Sequence, residues 1–150
     1  MAESEIQHLS RPLLSVIIPC YNEEDSLPLI LDALKHTEQN MTVMGFEFIL
    51  VDDGSTDATL SVIRERAALD SEIRYLSFSR NFGKEAAMLA GMETAIGDYV
   101  CTMDADMQDS PDLLPQMYEA VAGGGYDCAA IRRSDREGES KLRSFFSRRF

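Results

Sequence analysis

The sequence predicts an α/β fold in which a mostly parallel β-sheet is flanked by helices. Short apolar runs rich in β-branched and aromatic residues alternate with segments of helical spacing along the chain. Their nearly continuous apolar character is typical of strands buried on both faces of a parallel sheet. The predicted strands cover residues 13–19, 46–52, 73–79, 98–103 and 126–131.

Four helices are predicted between these strands. The first has the i, i+3, i+4, i+7 pattern of an amphipathic helix, at Leu27, Ile30, Leu31 and Leu34. The second follows the capping candidates Ser55, Thr56 and Asp57, and the third is the segment of small residues at 84–95. The fourth opens with Ser110 as a cap and Pro111 at the first helical position.

The composition excludes several classes of protein. The net charge of -12 disfavours a nucleic-acid partner, because phosphate backbones recruit basic surfaces. The three cysteines show no CxxC spacing and are expected to be reduced core residues. No apolar run approaches the roughly 20 residues that span a bilayer, and no signal peptide is recognisable. We therefore expect the chain as given to be soluble.

The charge is unevenly distributed. Residues 1–131 hold 23 acidic and 7 basic side chains, a net charge of -16, whereas residues 132–150 hold 3 acidic and 7 basic, a net charge of +4. Within 138–150, the spacing of Leu142 and three phenylalanines predicts a basic amphipathic helix with these residues on one face. Such a helix either lies at the membrane interface or packs on the sheet or on a C-terminal region that follows. The abrupt end at Phe150 predicts a longer protein.

Polar segments follow the first four predicted strands directly. They begin at Pro19, Asp52, Arg80 and Asp104. Because ligands of open α/β sheets bind outside the carboxyl ends of the strands, one edge of the sheet is the expected site. An alternative role for Asp52 is simply to cap the turn at Ser55.

The segment MDADMQD at 103–109 holds three carboxylates within six positions. A divalent cation, Mg²⁺ or Mn²⁺, explains this crowding, since hard cations prefer carboxylate oxygens. In an extended segment Asp104 and Asp106 project the same way and face one ion. The alternative is a solvated loop that caps the next helix. An EF-hand is excluded because Asp109 and Pro115 replace its glycine and its bidentate glutamate.

Three segments together resemble the signatures of family 2 glycosyltransferases with the GT-A fold. They are SVIIPCYNEEDSL, ILVDDGSTDAT and MDADMQDSPDLLPQM. SRNFGKEAAMLAG and RRSDREGES are similar to the branch that transfers sugars to polyprenyl phosphates, such as dolichol-phosphate mannose synthases and undecaprenyl-phosphate glucosyltransferases. The resemblance predicts a nucleotide-sugar-binding domain over 13–137, after a disordered start at 1–12.

The resemblance also implies roles for individual positions. Residues matching the family's base- and ribose-binding loops are Pro19, Tyr21, Glu23, Val51 and Asp53. The DXD motif matches Asp104, Ala105 and Asp106, with Gln108 as a further metal ligand. A basic loop near donor diphosphate or acceptor phosphate matches Arg133 and Arg136, and the implied catalytic residues are Asp106 and Arg133. Arg80 and Lys84 either contact phosphate or form a surface pair at a helix start.

The implied reaction moves a hexose, with inversion, from a UDP- or GDP-sugar to undecaprenyl or dolichyl phosphate at the cytoplasmic face of the membrane. The longer protein is then expected to be membrane-anchored, and a homo-oligomer is compatible with the sequence. His8 and His36 are expected to have surface roles, and an ionised acceptor phosphate makes a strong general base unnecessary. Two alternatives stay open, namely a polysaccharide or protein acceptor and a donor-binding fragment without turnover.

Overall fold

The computed structural model describes residues 11–131, and its sheet has four parallel strands in the order β3-β2-β1-β4. The strands are β1 (Leu13–Cys20), β2 (Gly45–Asp52), β3 (Ile73–Ser77) and β4 (Tyr99–Thr102). The α-helices are α1 (Leu27–Asn40), α2 (Thr59–Leu69), α3 (Lys84–Thr94) and α4 (Leu114–Ala122), the last preceded by a 3-10 turn at Pro111–Leu113. The predicted parallel α/β architecture is confirmed.

The chain divides into two compact units between Pro115 and Gln116. All four strands, the first three helices and the loops discussed below belong to the first unit. The predicted disordered start at 1–12 falls mostly outside the described residues, although the Pro12 carbonyl accepts a hydrogen bond from the Gly45 amide at 2.9 Å. The predicted basic helix at 138–150 lies entirely outside them.

The two central strands are apolar because helices cover both of their faces. On one face Ile17, Ile49 and Val51 form a buried cluster with Ala87 of α3. On the other face the side chains alternate, so that Phe48 lies beneath Lys35 of α1, whose Nζ is 5.2 Å from the ring centroid. The predicted stripe of α1, which includes Leu27 and Leu34, is fully buried.

The outer strands differ from the prediction of strands buried on both faces. β4 alternates between partly buried and exposed residues, and only Ile73 of β3 is buried; Tyr75 and Val100 are among the exposed residues. Each of these strands pairs with one neighbour in the described sheet, whereas β1 and β2 pair with two. The fully apolar pattern therefore holds for the centre of the sheet.

The predicted strand at 126–131 is wrong. The structure contains no strand there, and Tyr126 is largely exposed. A short apolar run becomes a strand only when its backbone pairs with a neighbour, and residues 126–131 form no ladder within the described part of the chain.

A buried polar network joins the strands near their amino-terminal ends. The Glu47 carboxylate accepts hydrogen bonds from the Ser15 hydroxyl and from the Ile96 amide at 2.9 Å, and it pairs with Arg74 at 3.0 Å. The Gly97 amide donates to Ser15 Oγ at 2.9 Å. Burial alone raises the pKa of Glu47, but these hydrogen bonds and the Arg74 charge outweigh it and hold that pKa below its ordinary value.

Candidate active site

A cavity of about 370 Å³ opens at the carboxyl ends of the strands, where the order of the strands reverses direction between β1 and β4. Loops that follow β1, β2, β3 and β4 all contribute to its walls. Its lining residues are Pro19, Cys20, Tyr21, Glu23, Asp53, Asn81, Gly83, Lys84, Asp104, Ala105 and Asp106. Eight of the residues predicted from the sequence thus line a single cavity.

Hydrogen bonds connect the loop after β1 to the loop after β2. The Asn22 amide donates to Ser55 Oγ at 3.0 Å, and the Thr56 amide donates to Asn22 Oδ1 at 2.8 Å. The Glu23 amide donates to Thr59 Oγ1 at 2.8 Å. Asn22 has a positive φ of 56°, a conformation that asparagine tolerates better than most residues. These bonds fix the backbone that carries Tyr21 and Glu23.

The two carboxylates at the end of β2 are buried and bind different loops. Asp52 accepts hydrogen bonds from the Ser55 amide and the Ser77 hydroxyl, both at 3.1 Å, which confirms its predicted role in the Ser55 turn. Asp53 accepts from the Phe82 amide at 2.7 Å and from the Gly83 amide at 3.0 Å. Asp53 therefore holds the loop between β3 and α3 against the end of β2.

Gly54 allows these loops to approach each other. Its φ is +67°, and a Cβ at this position would stand 2.6 Å from the Arg80 Cα. No side chain fits in that space without movement of the backbone after β3. The glycine between Asp53 and Ser55 is thus required by both its conformation and its neighbours.

The acidic loop after β4 is a turn and not the extended segment expected from the sequence. β4 ends at Thr102. The Met103 amide still donates a hydrogen bond to the Ile17 carbonyl at 2.9 Å, and beyond Met103 the chain leaves the sheet. Asp106 Oδ1 accepts from the Gln108 amide at 3.0 Å, and Met107 has a φ of +60°. Asp104 and Asp106 nevertheless line the same cavity.

Lys84 supplies a positive partner for this loop. Its Nζ lies 2.6 Å from Asp104 Oδ1 and 2.7 Å from Oδ2. Lys84 is the first residue of α3, and Gly83 before it has a φ of +101°. The crowding of carboxylates noted in the sequence is therefore relieved, in this structure, by a lysine twenty positions earlier in the chain.

Other predicted site residues do not line the cavity. Val51 is fully buried beside Ile49, and the Arg80 guanidinium lies 4.8 Å from the centroid of the Phe82 ring. Gln108 contributes its backbone amide to the Asp106 turn. Arg133 and Arg136 lie outside the described residues.

Three lining residues were not singled out from the sequence, namely Cys20, Asn81 and Gly83. Asn81 and Gly83 belong to the polar segment after the third predicted strand, in which only the charged residues Arg80 and Lys84 were predicted to contact phosphate. Burial, with the nearby charges of Glu23 and Asp52, raises the pKa of the Cys20 thiol well above its usual range. Cys20 is therefore a protonated wall residue, and its Sγ donates to the Ile18 carbonyl at 3.3 Å.

The parallel sheet and its cavity at the strand ends define an open α/β domain with a ligand site at the switch point. The family model of glycosyl transferase family 2 matches residues 15–149. The chain belongs to this family, as the resemblance predicted.

The names of two of the three relatives in sequence described here refer to undecaprenyl phosphate or bactoprenol. The chain is 42% identical to a putative glycosyltransferase, CsbB, of Bacillus subtilis over 93% of its length, which is 41% of that protein. It is 43% identical to an undecaprenyl-phosphate 4-deoxy-4-formamido-L-arabinose transferase of Aeromonas hydrophila over 83% of its length, or 38% of that protein. A prophage bactoprenol glucosyl transferase homolog of Escherichia coli is 35% identical over 87% of this chain and 42% of that protein. The chain thus spans about two fifths of the length of these relatives.

Solved structures confirm the GT-A fold. A mannosyltransferase of Pyrobaculum calidifontis, solved with GDP-Man and Mn²⁺, superposes with a TM-score of 0.65 at 27% identity, over 76% of this chain and 33% of that one. S. aureus TarS, solved with UDP, has a TM-score of 0.66 at 24% identity, over 85% of this chain and 37% of that one. Within residues 11–131, no helix has the length and apolar character that crossing a membrane requires.

Proposed function

We propose that this domain belongs to a metal-dependent, inverting glycosyltransferase that moves a hexose from a UDP- or GDP-sugar to a polyprenyl phosphate, undecaprenyl or dolichyl. The reaction is assigned to the cytoplasmic face of the membrane, where such an acceptor presents its phosphate. The observation that carries the proposal is the cavity that brings together Asp104, Asp106 and Lys84 with Tyr21 and Glu23. It offers carboxylates, a cation and an aromatic ring to one ligand.

The carboxylates fit a divalent cation, Mg²⁺ or Mn²⁺. Within residues 11–131 no group of three or more His, Cys, Asp or Glu side chains is arranged to hold a metal ion. Two carboxylates suffice for Mg²⁺ when substrate phosphates and water complete its coordination. Asp104 and Asp106 would hold the cation, with Gln108 as the further ligand that the resemblance implies. When bound, the cation stabilises the negative charge that develops on the departing diphosphate.

The remaining wall residues suit the nucleoside. Tyr21 is 45% exposed at the cavity, so its ring is available to stack on a base. The Glu23 carboxylate accepts a hydrogen bond from the Ser26 hydroxyl and is proposed to accept another from a ribose hydroxyl. Asp53, whose oxygens bind the Phe82 and Gly83 amides, is proposed to support the base site together with Val51 behind it. The Pyrobaculum neighbour holds GDP-Man, which supports a nucleotide sugar as the ligand.

The acceptor assignment depends on the relatives named as undecaprenyl-phosphate and bactoprenol transferases. A phosphate monoester has a second pKa of about 6, so it is largely ionised near neutral pH and attacks without a strong base. His36 is exposed and pairs with Asn40, in agreement with its predicted surface role, and His8 lies outside the described residues. Arg133, Arg136 and Arg80 are proposed to contact donor or acceptor phosphates.

Calorimetric titration of UDP-glucose and GDP-mannose, each with and without Mn²⁺, tests the donor site. Asp106→Asn should weaken Mn²⁺-dependent donor binding by about tenfold or more, because one carboxylate ligand is lost. Asp25→Asn is the matched control, since Asp25 is exposed and is not among the described lining residues. Unchanged donor binding by Asp106→Asn would contradict the proposed role of the acidic loop.

Transfer is measured separately, as the movement of labelled hexose to undecaprenyl phosphate. Donor binding without transfer would support the alternative of a donor-binding fragment without turnover. Transfer to a polysaccharide or protein in place of the lipid would instead support the alternative acceptor.

A further inference from the structure

Lys84 pairs with Asp104, one of the two carboxylates proposed above to hold the divalent cation. The Lys84 ammonium lies within 2.7 Å of both oxygens of Asp104. Both side chains are partly exposed, Lys84 at 51% and Asp104 at 37%, so neither is locked in place by packing. An exposed pair of this kind is weak enough to be exchanged.

The charges around the cavity are mainly negative, so Lys84 has carboxylates as its neighbours. Among the described residues, the lining holds four carboxylates, those of Glu23, Asp53, Asp104 and Asp106, and one cation, Lys84. Asp53 is satisfied by two backbone amides, and Asp106 accepts from the Gln108 amide. Asp104 is the member of this set that has a charged partner.

A divalent cation bound by Asp104 would compete with Lys84 for the same carboxylate. Two cations a few ångströms apart repel each other, and a diphosphate beside them offers the lysine a new anionic partner. We propose that Lys84 is the resident counter-ion of Asp104, and that it moves to an oxygen of the donor diphosphate when the divalent cation binds. This inference rests on the function proposed above and assigns Lys84 a role in donor binding within it.

Hydrogen bonds hold the main chain on both sides of Lys84. The Asp53 carboxylate holds the Phe82 and Gly83 amides, and the Gly83 carbonyl accepts from the Ala87 amide at 3.1 Å in the first turn of α3. Lys84 therefore projects from a fixed point at the start of a helix. We expect its long, flexible side chain to change partner by rotation about its own bonds.

Two opposite effects on affinity follow. Lys84 weakens binding of the cation alone, because the cation must displace it, and strengthens binding of the donor once the cation is present. Binding of the cation and binding of the donor are thereby coupled, since both favour the arrangement in which Lys84 has left Asp104. A residue that only supported the fold would weaken both ligands when it was changed.

The test is Lys84→Gln, measured by calorimetry first with Mn²⁺ alone and then with donor at saturating Mn²⁺. Mn²⁺ alone should bind about threefold to tenfold more tightly, as expected for removal of a partly exposed competing charge. Donor should bind about threefold or more weakly, because a charge-assisted contact to phosphate is lost. Lys84→Arg keeps the positive charge that competes with the cation, so Mn²⁺ alone should not bind more tightly to this variant than to wild type.

Arg64→Gln is the second control, since it removes one positive charge from an exposed position of α2. If it tightens Mn²⁺ binding as much as Lys84→Gln does, the effect is one of net charge and the inference is overturned. The inference is also overturned if Lys84→Gln leaves Mn²⁺ affinity unchanged or lowers it while wild type binds Mn²⁺ and donor normally. Absence of Mn²⁺ binding by wild type, with or without donor, overturns the proposed function and this inference together.

Discussion

Asp52 and Asp53 are neighbours in sequence, but their carboxylates stabilise different parts of the molecule. The bond from Asp52 to the Ser55 amide spans three residues and was predictable from turn chemistry. The bonds from Asp53 reach Phe82 and Gly83, about thirty residues later, and depend on the order of the strands. Hydrogen bonds between residues close in sequence can be predicted from the sequence alone. Contacts between distant residues, such as Lys84 with Asp104, can be identified only once the fold is known.

Glu47 gives the first prediction at the residue scale. Its folded pKa is lowered, so its stabilising effect is complete above the unfolded value of about 4.3 and is lost as the pH falls through the folded pKa. Glu47→Gln should reduce the free energy of unfolding by about 1–3 kcal/mol at pH 7. The difference from wild type should shrink as the pH falls below about 4.3, in urea unfolding followed by circular dichroism.

The exposed Glu65 on α2 provides the matched control for this experiment. Glu65→Gln should change the free energy of unfolding by less than about 0.5 kcal/mol. A difference between wild type and Glu47→Gln that stayed constant, or grew, as the pH fell would contradict the assignment of a charged, hydrogen-bonded Glu47.

At the scale of elements, the sequence predicted the strands that lie at the centre of the sheet best. β1 and β2 have neighbours on both edges and both faces, so their composition is strongly constrained. The run at 126–131 has a similar apolar content but forms no ladder in the described chain. Composition reports burial, whereas a strand also needs a partner for its backbone, and that partner is not visible in a local pattern.

The packing of α3 on β1 gives a prediction at this scale. Gly91 is buried in α3, and a Cβ added there would overlap Ile17 Cγ2. Alanine favours a helix by about 1 kcal/mol over glycine, but overpacking costs about 1–3 kcal/mol. Gly91→Ala should therefore lower the free energy of unfolding by up to about 2 kcal/mol, in chemical denaturation with the m-value as a check.

Gly45 at the start of β2 is the control for that substitution. A Cβ there would meet Leu13 Cδ1 at 3.5 Å, which is ordinary van der Waals contact. Gly45→Ala should stay within about 0.5 kcal/mol of wild type. If Gly91→Ala instead stabilised the protein, α3 would pack less closely on β1 than the structure indicates.

For the whole molecule, the relevant property is the separation of charge along the chain. Residues 1–131 carry a net charge of -16 and residues 132–150 a net charge of +4. The acidic part is repelled by anionic lipids and the basic segment is attracted to them. This separation was evident from the sequence because charge can be counted without a fold. Residues 132–150 lie outside the described part of the structure.

Vesicle sedimentation tests the membrane interpretation. The protein should sediment with vesicles that contain anionic phosphatidylglycerol at low salt and should be released at high salt. Replacing Lys141, Arg143, Arg148 and Arg149 with glutamine should abolish most of this binding. Vesicles of neutral phosphatidylcholine are the control, and equal sedimentation by a variant lacking residues 138–150 would contradict the prediction.

The Ser15–Glu47 network has a consequence for the whole architecture. It lies near the amino-terminal ends of the strands, opposite the cavity. Ser15 and Glu47 are paired across β1 and β2, and a shift of one residue in the register of either strand would turn one of the two side chains to the other face of the sheet. The network therefore favours one register between β1 and β2, and this register determines where the two strands end relative to each other. Loops grafted onto Cys20 or Asp52 from a longer relative would start from unchanged anchor points, which makes this sheet a suitable scaffold for exchanging specificity loops.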